Sequence, residues 1–300
     1  MHSLYSHYLH KHTFSLLVHV LLSLANTKPS SAFASASIDI NYKYPEKQTA
    51  ERIQNFQHHS SITLIYIEFF INQMVKYSDI TIVIPTLNEE KNIEKLIVLL
   101  KKTYKNIKVI VVDDGSTDKT QSVAKKAGVK VIDRSQKQIH GLCISVIEGI
   151  CTAKTPYAIV MDGDMQHPYE KIKDIAEQLE KHSLVVGIRE RVLNDWPWHR
   201  RAMSKLAIGL GHLRLKISGL YCKDIVSGFF GIQIKLFKDV VARKYDKYEL
   251  KGYKVLFDTL KYLPKETKIS QVQYDFGLRS EGISKINYKH IFYYWRSLFK

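Results

Sequence analysis

From residue 79 onward, short β-branched runs alternate with stretches whose apolar residues recur at helical spacing. Ile80–Ile84 reads as a strand, and Lys91–Thr103 has apolar residues at 93, 96, 97 and 100, which predicts a helix. The alternation continues through strand Ile107–Val112, a helix near Asp118–Ala127, strand Val129–Ile132, helix Gly141–Thr152, strand Tyr157–Met161, helix Tyr169–His182 and strand Leu184–Ile188. This order implies an α/β fold, a mainly parallel sheet sandwiched by helices. Beyond residue 190 the regularity loosens. A helix is expected from about His199 to Ile217, and the Gly-punctuated stretch SGFFGIQI within 223–240 reads as a strand. Tyr253–Leu263 reads as a helix and Lys268–Tyr274 alternates as a strand. Between Asn287 and Lys300, residues Ile291, Phe292, Trp295, Leu298 and Phe299 fall largely on one helical face. That pattern suits an interfacial helix lying on a membrane, and equally a helix packed on the domain.

Polar residues gather where strands end. Pro85-Thr86-Leu87-Asn88-Glu89 follows the first strand, Asp113-Asp114-Gly115-Ser116 the second, and Asp162-Gly163-Asp164-Met165-Gln166-His167-Pro168 the fourth. Ligands on parallel sheets bind beyond the carboxyl ends of strands, so three strands deliver polar groups to one rim. In an extended segment Asp162, Asp164 and Gln166 point the same way and can converge on one ion. Such hard oxygen donors suit Mg²⁺ or Mn²⁺, which fill their remaining positions with water and substrate phosphates. Plainer roles compete: Glu89 and Asp118 also stand where an acid favours a helix N-terminus. One of Asp113 and Asp114 is expected to satisfy loop amides, Gly115 to serve turn geometry, and His167 to pack rather than ligate. Arg189, Arg191, Arg200 and Arg201 flank Asn194–Trp198, a loop that is both basic and aromatic, with Arg191 and Arg201 expected in solvent.

Charge narrows the partners. Lys and Arg exceed Asp and Glu by 45 − 29 = 16 in the 300-residue chain. This favours nucleic acid, phosphorylated substrates or an anionic membrane. Acids at the strand ends, and no nucleic-acid-binding signature, argue against nucleic acid. Cys143, Cys151 and Cys222 lack metal-binding spacing and read as buried thiols. Residues 1–78 differ from the rest: Phe14–Ala25 is too short to span a bilayer and precedes the Ser/Ala-rich SSAFASAS, a weak likeness to a secretory signal. The expectation is a poorly ordered extension or start-site artefact with the functional chain beginning near Met74, a domain over 79–285, and a C-terminal amphipathic helix over 286–300.

PTLNE, DDGSTD and MDGDMQHP, in that order and spacing, resemble the family 2 inverting glycosyltransferases. With the Trp-rich stretch, SGF at 227–229 and RSEGISK at 279–285, they resemble most the dolichol-phosphate mannose synthases of that family. The resemblance covers roughly residues 79–290. It implies the nucleotide-diphospho-sugar transferase (GT-A-like) fold, with Pro85, Leu87, Glu89, Val112 and Asp114 around the nucleoside. It also places Asp162, Gly163 and Asp164 at the donor, and Asp162, Asp164 and Gln166 on Mg²⁺ or Mn²⁺. Arg279 and Lys285 would neutralise the donor diphosphate, and Arg189, Arg200 and Ser204 would hold the acceptor phosphate, so that Asp164, Arg189 and Arg200 carry the catalysis. Departures fall at Leu87, where an aromatic residue is common, at Cys143, and at Phe230, which replaces a frequent Arg.

The expected reaction is transfer of a hexose, mannose from GDP-mannose, to dolichyl or another polyprenyl phosphate in protein glycosylation. A glucose synthase using UDP-glucose and a transferase with a non-lipid acceptor are the alternatives. No segment is long enough to span a membrane. The setting this resemblance implies is peripheral at the cytoplasmic membrane face, through the C-terminal helix or a membrane-anchoring partner protein.

Overall fold

The computed structural model describes residues 77–192, 198–277 and 288–300, all within one compact unit, 65–300. Side chains at 191–192, 198–205, 207, 288 and 290–291 also lie outside the described set. The expectations for residues 1–76 therefore fall outside the described residues.

Seven strands form one sheet: β1 (Ile80–Thr86), β2 (Lys108–Asp113), β3 (Lys130–Asp133), β4 (Tyr157–Val160), β5 (Leu184–Val192), β6 (Phe230–Gln233) and β7 (Ile269–Phe276). Their order is β3-β2-β1-β4-β6-β5-β7, parallel except for β6, which runs antiparallel to β4 and β5. The α/β sandwich read from the sequence is the observed fold. The helices are α1 (Glu90–Thr103), α2 (Thr120–Lys126), α3 (Leu142–Thr152), α4 (Ile172–Leu179), α5 (Trp198–Lys216), α6 (Ile234–Lys244), α7 (Val255–Leu260) and α8 (Tyr288–Phe299).

Strand β1 shows why the sheet is central: Ile80 to Ile84 are all buried, as a strand covered on both faces requires. Alternate side chains enter opposite cores. Val83 and Val112 join α3, α6 and α7 on one face, while Ile82, Ile84 and Val111 join α1 and α4 on the other. Helix α3 approaches the sheet so closely that a Cβ on Gly149 would overlap Val83 Cγ1 and stand 2.9 Å from Val112 Cγ2. The chain leaves β1 in one direction through β2 and β3, then returns to β4 on its other side. That reversal opens a crevice beyond the carboxyl ends of β1 and β4.

One expected strand is found but is short, and one expectation needs correction. The apolar stretch within 223–240 contains a four-residue strand followed at once by α6, whose Ile234, Phe237, Val240 and Val241 are buried at helical spacing. The segment after β4 is also not extended: β4 stops at Val160, Gly163 and Asp164 lie in a turn, and Met165 has φ +65°. Strand periodicity therefore does not align Asp162, Asp164 and Gln166.

Helix α8 packs on the domain through one of its faces. Tyr294, Ser297 and Leu298 are buried, whereas Phe292, Trp295 and Phe299 face out at 59%, 47% and 81% exposure. Beneath it Ser297 Oγ donates to Asp258 Oδ1 (2.5 Å), and Lys261 Nζ donates to the Ser297 carbonyl (2.6 Å) while pairing with Asp258 (2.8 Å). No described helix is long and apolar enough to cross a membrane.

Candidate active site at the carboxyl ends of the strands

The loops after β1 and β2 are tied into one unit. Asn88, at φ +52°, donates its amide to Ser116 Oγ (2.8 Å) and accepts from the Thr117 amide through Oδ1 (2.8 Å). The first amides of α1 would lack partners within the helix. Side chains of the second loop supply them: the Glu89 amide donates to Thr120 Oγ1 (2.8 Å) and that of Glu90 to Asp118 Oδ2 (3.2 Å). Asp118 thus has the helix-terminus role the sequence allowed it. Asp113, fully buried, accepts from Thr86 Oγ1, the Ser116 amide and Gln121 Nε2. It is the structural member of the acidic pair.

Asp114 stands at the rim. Its Oδ1 accepts from Arg134 Nε (3.0 Å), and its Oδ2 from the Gly141 amide (2.7 Å). Arg134 is 1% exposed and also pairs with Glu148. His140 Nδ1 lies 3.2 Å from Asp114 Oδ1. Among the residues expected around a nucleoside, Leu87 is exposed and Pro85 half-buried. The Val112 side chain instead points into the core against Gly149, so only its main chain can face the crevice.

The third loop adjoins the first: a Cβ on Gly163 would lie 3.3 Å from Thr86 Cγ2 and 3.7 Å from Glu89 Cγ. Glu89 is buried and accepts from Asn92 Nδ2 (2.9 Å). Asp164, 4% exposed, accepts the Gln166 amide (3.1 Å). Gln166 is stitched to the end of β7, since its Nε2 donates to the Gly277 carbonyl and the Gly277 amide donates to its carbonyl, both at 3.0 Å. His167 packs, as expected. It stacks on Phe229 with centroids 5.2 Å apart and meets the edges of Tyr274 and Phe276. Its Nδ1 accepts the Asp162 amide (3.1 Å), and burial pushes its pKa down to about 4. The imidazole is therefore neutral and serves to place Asp162.

The Asp162 carboxylate is about one-third exposed and opens toward Gly228, where a Cβ would sit 3.2 and 3.4 Å from its two oxygens. Glycine at 228 keeps that side of the carboxylate clear. Among the described residues no group of three or more His, Cys, Asp or Glu side chains could hold a metal. A divalent cation here would take the two carboxylates and draw its other oxygens from the Gln166 side chain, water and substrate, a donor set that fits Mg²⁺ or Mn²⁺.

Two cations lie near enough to feel the charge of Asp162. Arg189, in the second half of β5, donates from Nε to Asp224 Oδ2 (2.7 Å) and from Nη2 to Asp224 Oδ1 (2.9 Å), and lies over the Phe276 ring at 5.7 Å. Lys254 donates to the Val226 carbonyl (3.0 Å) and sits 4.1 Å over the Tyr253 ring. Burial, then the charge of Arg189, bring its pKa down to about 7 against the opposing pull of Asp224 and Asp162. Asp224 and Lys254 were not singled out in the sequence, because each sits in a connecting segment with no strand-end position to mark it; Arg134 follows directly on β3, but a lone Arg there carries no motif. Arg200 and Ser204 lie on α5 with their side chains outside the described residues, and Arg279 and Lys285 lie outside them altogether.

Known proteins resemble this chain in sequence and in fold. The family described as "Glycosyl transferase family 2" matches residues 81–241. A dolichol-phosphate mannosyltransferase of Pyrococcus furiosus is 34% identical over 232 residues, covering 74% of this chain and 63% of that protein. The chain thus spans under two thirds of that relative. A dolichol-phosphate mannosyltransferase of Saccharomyces cerevisiae is 30% identical over 243 residues, 75% of this chain and 86% of that protein. Glucosyl-3-phosphoglycerate synthase of Mycobacterium tuberculosis, solved with Mn²⁺, UDP-glucose and phosphoglyceric acid, superposes with a TM-score of 0.51 at 22% identity, over 68% of this chain and 72% of that one. This last likeness concerns the fold.

Proposed function

The chain belongs to glycosyl transferase family 2 and is a glycosyltransferase, and we propose that it transfers mannose from GDP-mannose, with inversion, to dolichyl or another polyprenyl phosphate at a membrane surface. The observation that carries this reading is the nearness of opposite charges at the strand ends: Arg189, held by Asp224, and Lys254 lie close enough to Asp162 that its carboxylate acts on the charge of both. Such a mixed site suits one anion arriving with a cation and a second held by the protein's own cations. The cytoplasmic face is the setting this reading assigns, with peripheral attachment and, where needed, a membrane-anchoring partner.

The chemistry needs a stabilised leaving diphosphate and an oriented nucleophile. A bound Mg²⁺ or Mn²⁺ would supply Lewis-acid neutralisation of the diphosphate, held by Asp162 and Asp164 with Gln166 in support. Asp114, fixed by Arg134 and the Gly141 amide, presents a rigid acceptor at the nucleoside end of the crevice. A phosphate monoester has a second pKa of about 6 and is already anionic at neutral pH, so the nucleophile requires no general base. The surroundings agree. The Nδ1 lone pair of His167 is used by the Asp162 amide, and the Asp224 carboxylate is spanned by Arg189. Neither is placed to take a proton from an acceptor. Arg189, oriented by Asp224, and Lys254 would hold the acceptor phosphate, with Arg200 and Ser204 joining from α5.

Titration of the purified protein with a nucleotide diphosphate sugar, with and without Mn²⁺, tests the donor half of the site. Binding should strengthen at least about tenfold with the cation, and Asp164→Asn should abolish that gain. Cation-independent binding that survives Asp164→Asn would remove the metal from the reading.

A further inference from the structure

Between α6 and α7 the chain buries a carboxylate that the reaction does not use. Glu249 is 4% exposed, and its Oε2 lies 3.3 Å from Arg296 Nε and 3.2 Å from Lys300 Nζ, at the far end of α8. We propose that Glu249 is a positioning residue for both ends of the crevice: it anchors the segment 248–254, which caps α3 behind Asp114 and carries Lys254 to the acceptor side. This deepens the lipid-phosphate transferase reading and rests on it for the roles of Asp114 and Lys254.

The segment is fixed at its start. The Glu249 amide donates to Asp258 Oδ2 (3.0 Å), and the same carboxylate, buried on α7, accepts Ser297 Oγ of α8 at Oδ1 (2.5 Å). Lys300 Nζ donates to the Tyr248 carbonyl (2.9 Å), and the Tyr262 hydroxyl donates to the Lys300 carbonyl (2.5 Å). The Gly252 amide donates back to the Glu249 carbonyl (2.8 Å), closing a turn in which a Cβ on Gly252 would stand 2.9 Å from that oxygen. An ionised carboxylate is costly to bury unless cations meet it, so Arg296 and Lys300 hold Glu249 in place.

The turn then serves α3. The first amides of a helix need partners from outside it. The Cys143 amide donates to the Gly252 carbonyl (3.0 Å) and the Ile144 amide to the Leu250 carbonyl (3.3 Å). Contact is closest at Gly141, where φ is +153° and a Cβ would come within 2.7 Å of the Leu250 carbonyl oxygen and 2.8 Å of Lys251 Cα. The Gly141 amide itself donates to Asp114 Oδ2 (2.7 Å). A shift of the turn is therefore passed to the carboxylate at the nucleoside end.

The segment ends at the opposite side of the site. Lys254, five residues after Glu249, donates to the Val226 carbonyl (3.0 Å) and lies near enough to Arg189, Asp224 and Asp162 to feel their charges. A reaction between two bound anions depends on their mutual placement, which one fixed piece of backbone behind both ends supplies.

Glu249→Gln keeps the shape and removes the charge that Arg296 and Lys300 hold. Without substrate, hydrogen exchange at the Cys143 and Ile144 amides should quicken on the order of tenfold, with the amides of α1 unchanged. In transfer assays, KM for GDP-mannose and KM for dolichyl phosphate should each rise about three- to tenfold, with kcat per folded enzyme held. A purely structural role would lower the folded fraction and leave both KM values alone. Double-mutant cycles locate the effect. Added to Asp114→Asn, Glu249→Gln should no longer raise the donor KM; added to Lys254→Met, it should no longer raise the acceptor KM. Should Glu249→Gln fail to fold, Arg296→Gln with Lys300→Gln loosens the same anchor from its more exposed side and should give the same pattern. Unchanged exchange, a rise in one KM alone, or additive effects in either cycle would overturn the proposal. Faster exchange in the variant of a chain whose wild type transfers no sugar would refute the transferase reading while upholding the anchor, and unchanged exchange beside normal wild-type transfer would refute the anchor alone.

Discussion

Asp224 grips Arg189 through both of its oxygens, and the pair is largely withdrawn from water at 10% and 21% side-chain exposure. Asp224→Asn keeps the shape but leaves the guanidinium undercompensated. It should lower the urea-derived stability by about 1–3 kcal/mol and raise KM for the acceptor phosphate more than it lowers kcat. Lys254 offers a pH signature. With a pKa near 7 it loses its charge as pH rises through neutrality, so acceptor affinity should fall across that window. Lys254→Met should bind weakly with a flat profile; a retained slope would assign the titration to another group. His167 acts through stability. Its folded pKa, about 4, lies below the unfolded value of 6.5, so the unfolded chain takes up the proton first as pH falls. Its contribution of about 3 kcal/mol is complete above pH 6.5 and disappears as pH drops through 4. His167→Gln should flatten the decline measured by urea titrations at pH 7 and pH 5. The carboxylates at 114, 162 and 164 were legible in the sequence because strand ends mark them. Asp224, Lys254 and Arg134 were not, because a buried ion's partner is chosen by the fold and not by spacing.

Among the elements, α3 shows a conflict that packing decides. Helix propensity alone makes Gly149→Ala favourable by about 1 kcal/mol. At this position the added methyl would press on Val83 and Val112, and overpacking costs about 1–3 kcal/mol. Net destabilisation on urea unfolding is therefore expected, and a stabilised variant would mean that α3 can move off the sheet. The strands and helices up to residue 188 were legible because their periods differ cleanly. Helix α6 was missed because its apolar residues follow SGFFGI without a break or a capping residue, so the strand pattern runs into it. The turn after β4 was misread as extended since Met165 gives no sign of its positive φ. For α8 the sequence left two readings open; the structure shows both an inner face that packs and an outer one that stays exposed.

At the scale of the molecule, the site is built from a sheet whose order reverses between β1 and β4, a feature that no single motif contains. The order of the motifs nevertheless marks that rim, and the family resemblance implies roles for their residues. On the proposed reading, Arg189 and Lys254 near Asp162 would take a charged acceptor and the carboxylates a cation with the donor diphosphate. The most direct measurement is sugar transfer by the purified full chain from GDP-mannose, in parallel with UDP-glucose, to dolichyl phosphate and to dolichol lacking the phosphate. The account predicts transfer from GDP-mannose to dolichyl phosphate and none to dolichol. No transfer to the phosphate from either donor, or equal transfer to the bare alcohol, would contradict it.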